Sequence, residues 1–190
     1  MPGSGPVTLL DGTQVFTGVH NEWAAKIGGG YRVNDGIGDL QLNAFYEWMR
    51  REVTPMEQPF NERSRDGVFA SATQFFGKKW SVSASYAHAF KTPGNPAMLS
   101  FNDPAVAVAA TLQGNRFDDS ASQYAVGARY YFNDWASWYV VGSYLTQGPG
   151  AHYCLGASGH GYQVCSRDAN NDTIGGATIK AATTGMTFNF

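Results

Sequence analysis

Charge is scarce in this chain. Only 15% of its 190 residues are Asp, Glu, Lys or Arg, against about a quarter in an ordinary soluble domain. The 13 basic and 15 acidic residues leave a net charge of −2, and the basic ones are scattered, which argues against a nucleic-acid binder. Long hydrophobic runs are also missing: nothing approaches the roughly 18 consecutive apolar residues of a membrane-spanning helix, so a helical membrane bundle is excluded. Cysteine occurs only at Cys154 and Cys165, without the Cys-x-x-Cys spacing of a structural zinc site. The four histidines, His20, His88, His152 and His160, stand at no recognisable spacing from a nucleophile or carboxylate, so no catalytic constellation is visible. Neither a cofactor nor a metal is expected.

What the chain does have is aromatic residues (14%) and 23 glycines, and it places them with period two. In the stretch from Trp23 to Val33, Trp23, Ala25, Ile27, Gly29, Tyr31 and Val33 fall on one face, with Glu22, Lys26 and Arg32 on the other. After the turn Asn34-Asp-Gly-Ile-Gly38, Leu40, Leu42, Ala44, Tyr46 and Trp48 oppose Gln41, Asn43, Glu47 and Arg51, with Phe45 and Met49 breaking the polar side. Alternation between an apolar and a polar face is what a strand between lipid and a water-filled lumen needs. A short turn rich in Asn, Asp and Gly predicts a hairpin.

The unit recurs. Val68–Phe76 and Trp80–Phe90 flank Gly77-Lys78-Lys79, and Tyr124–Phe132 and Trp138–Leu145 flank Asn133-Asp134-Trp135. A last strand runs from Ile179 to Phe190, giving about seven in all. Long polar connections, at about 52–66, 92–121 and 147–176, alternate with the short turns, the asymmetry of an outer-membrane barrel. Trp23, Tyr31, Trp48, Phe76, Trp80, Phe132 and Trp138 lie near strand ends, where an amphipathic ring suits a lipid–water boundary. The fold expected is an all-β antiparallel transmembrane barrel. A soluble ligand-binding β-barrel and an enzyme on a membrane barrel are the rival classes.

The Tyr124-Ala-Val-Gly-Ala-Arg-Tyr-Tyr-Phe132 strand, the aromatic strand after it and the ending Gly185-Met-Thr-Phe-Asn-Phe190 resemble Gram-negative general porins of the β-proteobacterial type. The resemblance implies an outer-membrane location, contact with outer-membrane lipid and lipopolysaccharide, a homotrimer, and a terminal Phe190 read by the barrel-assembly machinery. It also implies about sixteen strands, an even number as in bacterial single-chain barrels, and a signal peptide, whereas this chain starts Met1-Pro-Gly-Ser-Gly-Pro6. The expectation is that residues 1–190 are the C-terminal part of a porin, with part of a further strand between Val7 and Phe16. The alternative is a complete eight-stranded barrel with a structural, adhesion or enzymatic role.

A porin works by passive diffusion of small polar solutes and ions through a polar lumen. The pore-lining candidates are Glu22, Lys26, Arg32, Gln41, Asn43, Glu47, Arg51, Gln123 and Arg129. Four cations against two anions predict a mild anion preference; the competing reading is that Glu22, Lys26, Glu47 and Arg51 pair across neighbouring strands. The inward-folded constriction loop of such porins is implied to lie outside these residues.

Cys154 and Cys165 lie in one long connection with His152 and His160, and a disulfide is expected from export through an oxidising periplasm, with free thiols or a metal as alternatives. Closing a loop of about a dozen residues stabilises by about 3 kcal/mol in the chain-entropy model. The following Asp168-Ala-Asn170-Asn-Asp172 starts like a calcium loop, but Thr173 replaces the glycine and Ile179 the glutamate, so it reads as a turn, with a surface calcium or lipopolysaccharide-bridging ion as the alternative. Asp66, Asp118 and Asp119 read as solvated positions. Ala70, Ala72, Ala84 and Ala182 suit either a trimer wall or lipid contact.

Overall fold

A computed structural model of the chain describes residues 6–8, 14–16, 22–51, 64–92, 118–151, 153–155, 165–167, 169 and 174–189. These residues contain no helix. They form nine strands: β1 (Pro6–Thr8), β2 (Gln14–Phe16), β3 (Glu22–Asn34), β4 (Asp39–Arg51), β5 (Arg65–Phe76), β6 (Trp80–Ala89), β7 (Ala121–Tyr131), β8 (Ala136–Gln147) and β9 (Ile179–Phe188). Strands β3 to β9 make one antiparallel sheet in sequence order, each paired with the next. The sheet is not closed: β3 and β9 are its two edges.

The expected seven strands are therefore those of the sheet, but the stretch from Val7 to Phe16 contributes no strand to it. Its two short strands pair with each other, Val7 opposite Val15, in a separate two-stranded sheet. The strands β5, β7 and β8 also start two or three residues earlier than the apolar alternation suggested. Backbone pairing continues through polar residues such as Arg65 and Ser122, opposite Met49 and His88, where side-chain pattern carries no signal.

The three short connections share one end of the sheet, here the turn end. In the first, the Asp35 carboxylate accepts from the amides of Ile37 and Gly38 at 3.1 and 3.0 Å, and Asp35 N–H donates to the Gly38 carbonyl at 3.0 Å. In the third, Asn133 Oδ1 accepts from Trp135 and Ala136 N–H at 3.1 and 2.8 Å. These Asx contacts reverse the chain tightly and fix the hairpin register. The long connections all lie at the opposite, loop end.

Register decides the rest. Directly opposed residues share a face, and the rows run across the sheet as Gly29, Ala44, Ala70 and Tyr86, or as Ala72, Ala84, Val126, Gly142 and Ala182. One face is largely apolar, interrupted by Asp66 and Gln74 on β5 and by Lys180 and Thr184 on β9. Its side chains are exposed: Tyr31 is 65% accessible, Val126 63% and Trp80 46%. Buried apolar residues are few. Ala136 is buried at the turn end, and on the other face, at the loop end, Ala121, Leu145, Leu155 and Ile179 form one cluster. Burial of a core does not organise this sheet.

Glycine at position 38 is required by a close approach. A Cβ there lies 1.7 Å from the Phe75 carbonyl oxygen, whereas one at Gly29 meets nothing within 4 Å. Gly38→Ala is expected to lower stability by about 1–3 kcal/mol, and Gly29→Ala to change it by no more than about 0.5 kcal/mol, as read from urea unfolding midpoints of the refolded protein in detergent.

Candidate functional site

The polar face carries every candidate named from the sequence that can be tested for position. Glu22 and Arg51 are register partners, and the Arg51 Nε donates to the Glu22 carboxylate. Lys26 and Glu47 are partners too, with Nζ 3.6 Å from Oε2 and 3.5 Å from the centre of the Phe45 ring. Arg32 donates to Asp39 at 2.7 Å and lies over Phe75 at 5.3 Å. Gln41 is opposite Arg32, and Asn43 donates to Ser71 Oγ at 3.4 Å. These seven form one charged and amide strip along β3 and β4.

Gln123 and Arg129 lie elsewhere. Both belong to β7, three strand spacings from β4, or about 14 Å at about 4.8 Å per spacing. Gln123 is opposite Ala87 and Leu145; Arg129 is opposite Ser81 and Tyr139, with its guanidinium 5.6 Å from the Tyr139 ring centre. Between the strip and Arg129 the face is largely hydroxyl, with Ser71, Thr73, Ser83 and Ser85 in register. The Ser81-Val-Ser-Ala-Ser85 alternation carries that signal in the sequence.

The charge count needs correction. Asp39 shares the face and takes Arg32, so Glu22, Asp39 and Glu47 each hold one of the strip's three cations. Cross-strand pairing, the competing reading of Glu22, Lys26, Glu47 and Arg51, is the arrangement observed. Arg129 has no carboxylate partner among the described residues. Phe45 and Met49, which interrupt the polar pattern, have different roles: Phe45 stacks on Phe69 with ring centres 4.9 Å apart and supports the Lys26 side chain, while Met49 is exposed.

Of the three carboxylates read as solvated loop or strand-start positions, Asp118 is exposed, Asp66 is half-buried and Asp119 is out of contact with solvent. Asp119 accepts from Arg65 at 2.8 Å and from Thr92 N–H at 2.8 Å, and also from the Thr92 hydroxyl. Arg65 donates to Thr92 Oγ1 at 3.1 Å and lies 5.0 Å from the centre of the Tyr153 ring. Asp66 accepts from Arg50 and, at 2.8 Å, from the Tyr46 hydroxyl. Asp118 caps Ser120, whose hydrogen bonds hold its carboxyl below the ordinary range. Each of these aspartates lies within three residues of a strand start, where sequence shows a loop and not what folds over it.

Cys154 and Cys165 are joined in a disulfide, with Cα atoms 4.6 Å apart. His88 sits on the apolar face near the loop end, 2.8 Å from Ser122 Oγ and edge-on to Phe90. The other three histidines, Phe190 and the Asp168, Asn170 and Asp172 run lie outside the described residues. Among the described residues no three His, Cys, Asp or Glu side chains gather as a metal site.

The buried Arg65–Asp119 pair generates a test. Asp119→Ala is expected to cost about 3–5 kcal/mol, because it removes one partner of a buried ion pair, whereas replacing both charges together, Arg65→Met with Asp119→Leu, costs less. Guanidinium unfolding of the two variants beside the parent protein measures the difference.

No model of a known protein family matches the chain, and neither does any curated protein or any solved structure. What bears on its activity is the pair of faces just described.

Proposed function

We propose that this sheet is part of the wall of an outer-membrane porin that passes small polar solutes and ions by passive diffusion. The observation that carries the reading is the division of the sheet into one largely apolar and aromatic face and one largely polar face. The apolar face holds two aromatic rows. At the turn end lie Phe76, Trp80, Tyr130, Phe132, Trp138 and Phe188; at the loop end lie Trp23, Tyr46, Trp48, Phe90, Tyr124 and Tyr144. On β6 the rows are ten residues apart, Trp80 to Phe90, about 33 Å of strand. At a strand tilt of about 40° that spans about 25 Å, the height of the lipid-facing band of such barrels with its flanking girdles.

Water is a poor solvent for this face. Contiguous exposed apolar area beyond a few hundred Å² marks an interface or a membrane, and this one extends over seven strands. In lipid the polar face then encloses water, and the ion pairs lie where both partners stay solvated. The edges at β3 and β9 require pairing, since unpaired backbone groups in hydrocarbon cost several kcal/mol each; further strands that close the wall are part of this reading.

The partners follow from the same reading: outer-membrane lipid, lipopolysaccharide at the loop end, the barrel-assembly machinery, and two further copies in a homotrimer. Gly29, Ala44, Ala70, Ala72 and Ala84 floor a depression of about 800 Å³ on the apolar face, rimmed by Tyr31, Tyr86 and Tyr124, which suits close packing of a neighbouring wall.

The full-length protein, with the strands that close the wall, refolded and added to planar lipid bilayers, is expected to give stepwise ohmic conductance; monodisperse behaviour without detergent and no conductance would overturn the proposal. Selectivity follows Arg129, the polar-face cation with no carboxylate partner among the described residues. Arg129→Gln is expected to move the zero-current potential in a salt gradient toward cations, while Lys26→Gln combined with Glu47→Gln leaves it unchanged.

A further inference from the structure

On β7, β8 and β9 the loop end of the polar face carries an apolar cluster. Ala121, Leu145, Ile179 and Ala181 lie there, on the same face as the charged strip and the serines. Exposed to a water-filled lumen they are misplaced, yet Leu145 is 3% and Ile179 6% accessible. What covers them comes from the connection between β8 and β9: Leu155, itself 5% accessible, completes the cluster, and Tyr153 packs against it.

The same connection is tied down by directional contacts. Gly148 N–H donates to the Ser120 carbonyl at 2.9 Å and Gly150 N–H to the Asp118 carbonyl at 2.8 Å, so the chain leaving β8 runs back along the approach to β7. The Gln147 side chain brackets both arms, accepting from Tyr153 N–H at 2.7 Å and donating to the Tyr153 and Ala177 carbonyls at 3.3 and 3.0 Å. Gly176 N–H donates to the Ala151 carbonyl at 3.1 Å. Leu155 rests on β7, β8 and β9, while Tyr153 reaches the Arg65 guanidinium of β5. From β9 to β5 is four strand spacings, about 19 Å.

We propose that the β8–β9 connection is a strap held across the polar face at the loop end, that it narrows the mouth of the channel, and that the Cys154–Cys165 disulfide keeps it there. The inference rests on the channel reading above and adds to it a second narrowing, distinct from the constriction loop that the porin resemblance places elsewhere. Cys154 stands between the two anchors, Tyr153 and Leu155, so the staple constrains the chain at the point where it turns onto the face. The buried Arg65–Asp119–Thr92 group positions the Tyr153 anchor.

The test compares oxidised protein in planar bilayers with protein treated with a trialkylphosphine. The phosphine cleaves the S–S bond to two thiols and is itself oxidised to the phosphine oxide with oxygen from water. Cys154→Ser combined with Cys165→Ser gives the open form without reagent, and Leu155→Asp removes the apolar anchor. Amide exchange over residues 145–155, followed by mass spectrometry in the same detergent, reports docking without reference to conductance. The expected result is a single-channel conductance raised roughly 1.5- to 2-fold in all three open forms, together with loss of protection over residues 148–155. Conductance unchanged in all three overturns the proposal, as does exchange at unprotected rates in the oxidised protein. Protection in the oxidised protein with no conductance in any form overturns the channel reading instead and leaves the docked strap supported.

Discussion

Backbone register is the constraint on which everything else in this sheet depends. Side chains alternate with a period of two, so a slip of one residue in any strand would carry its aromatics to the polar face and its charges to the apolar one. Six successive pairings keep the faces separate from β3 to β9. The short hairpin turns fix three of those pairings locally, and the other three join strands separated by long connections. For these the side-chain rows must supply the specificity, and the opposed pairs Phe45–Phe69 and Tyr86–Tyr124 are of the kinds that favour one register over its neighbours.

The polar face shows how charge can be abundant locally in a chain poor in it overall. Cations and carboxylates are concentrated on β3 and β4 in opposed or diagonal pairs, while β5 and β6 present mostly hydroxyls and small residues. Exposed pairs of this kind add little stability, about 0–1 kcal/mol each. Their effect is to cancel one another, so the face as a whole has far less net field than its charge count suggests. The Arg65–Asp119 pair is different in kind: it is buried, multiply hydrogen-bonded, and joins the start of β5 to the residues preceding β7.

Much of the sheet was legible in the sequence because period two is a local signal. Trp23 to Val33 shows its two faces without reference to any other strand, and Asn34 to Gly38 announces its turn by composition. Burial at the loop end was not legible. Asp119 looks like any loop aspartate until Arg65, 54 positions away, folds against it, and Leu155 looks like an isolated apolar residue in a polar stretch. Asp39 stands just past the turn with no pattern to mark it, yet it is the register partner of Asn34 and the ion-pair partner of Arg32. Contacts of this range are set by which strands become neighbours, and no alternation pattern encodes that. The three-residue strands near the start show the opposite failure: a short apolar alternation was read as part of the sheet, and it pairs only with itself.

The glycine and alanine rows crossing the apolar face leave the sheet, at its middle, no more than a methyl group deep on that side. Elsewhere tyrosine and tryptophan rings stand several ångströms proud and define the outline. Where Gly29, Ala44 and Ala70 meet, the outline is that of the main chain itself, with peptide groups almost at the surface. A contour drawn by backbone is stiffer than one drawn by rotameric side chains, and whatever adjoins it meets a fixed shape.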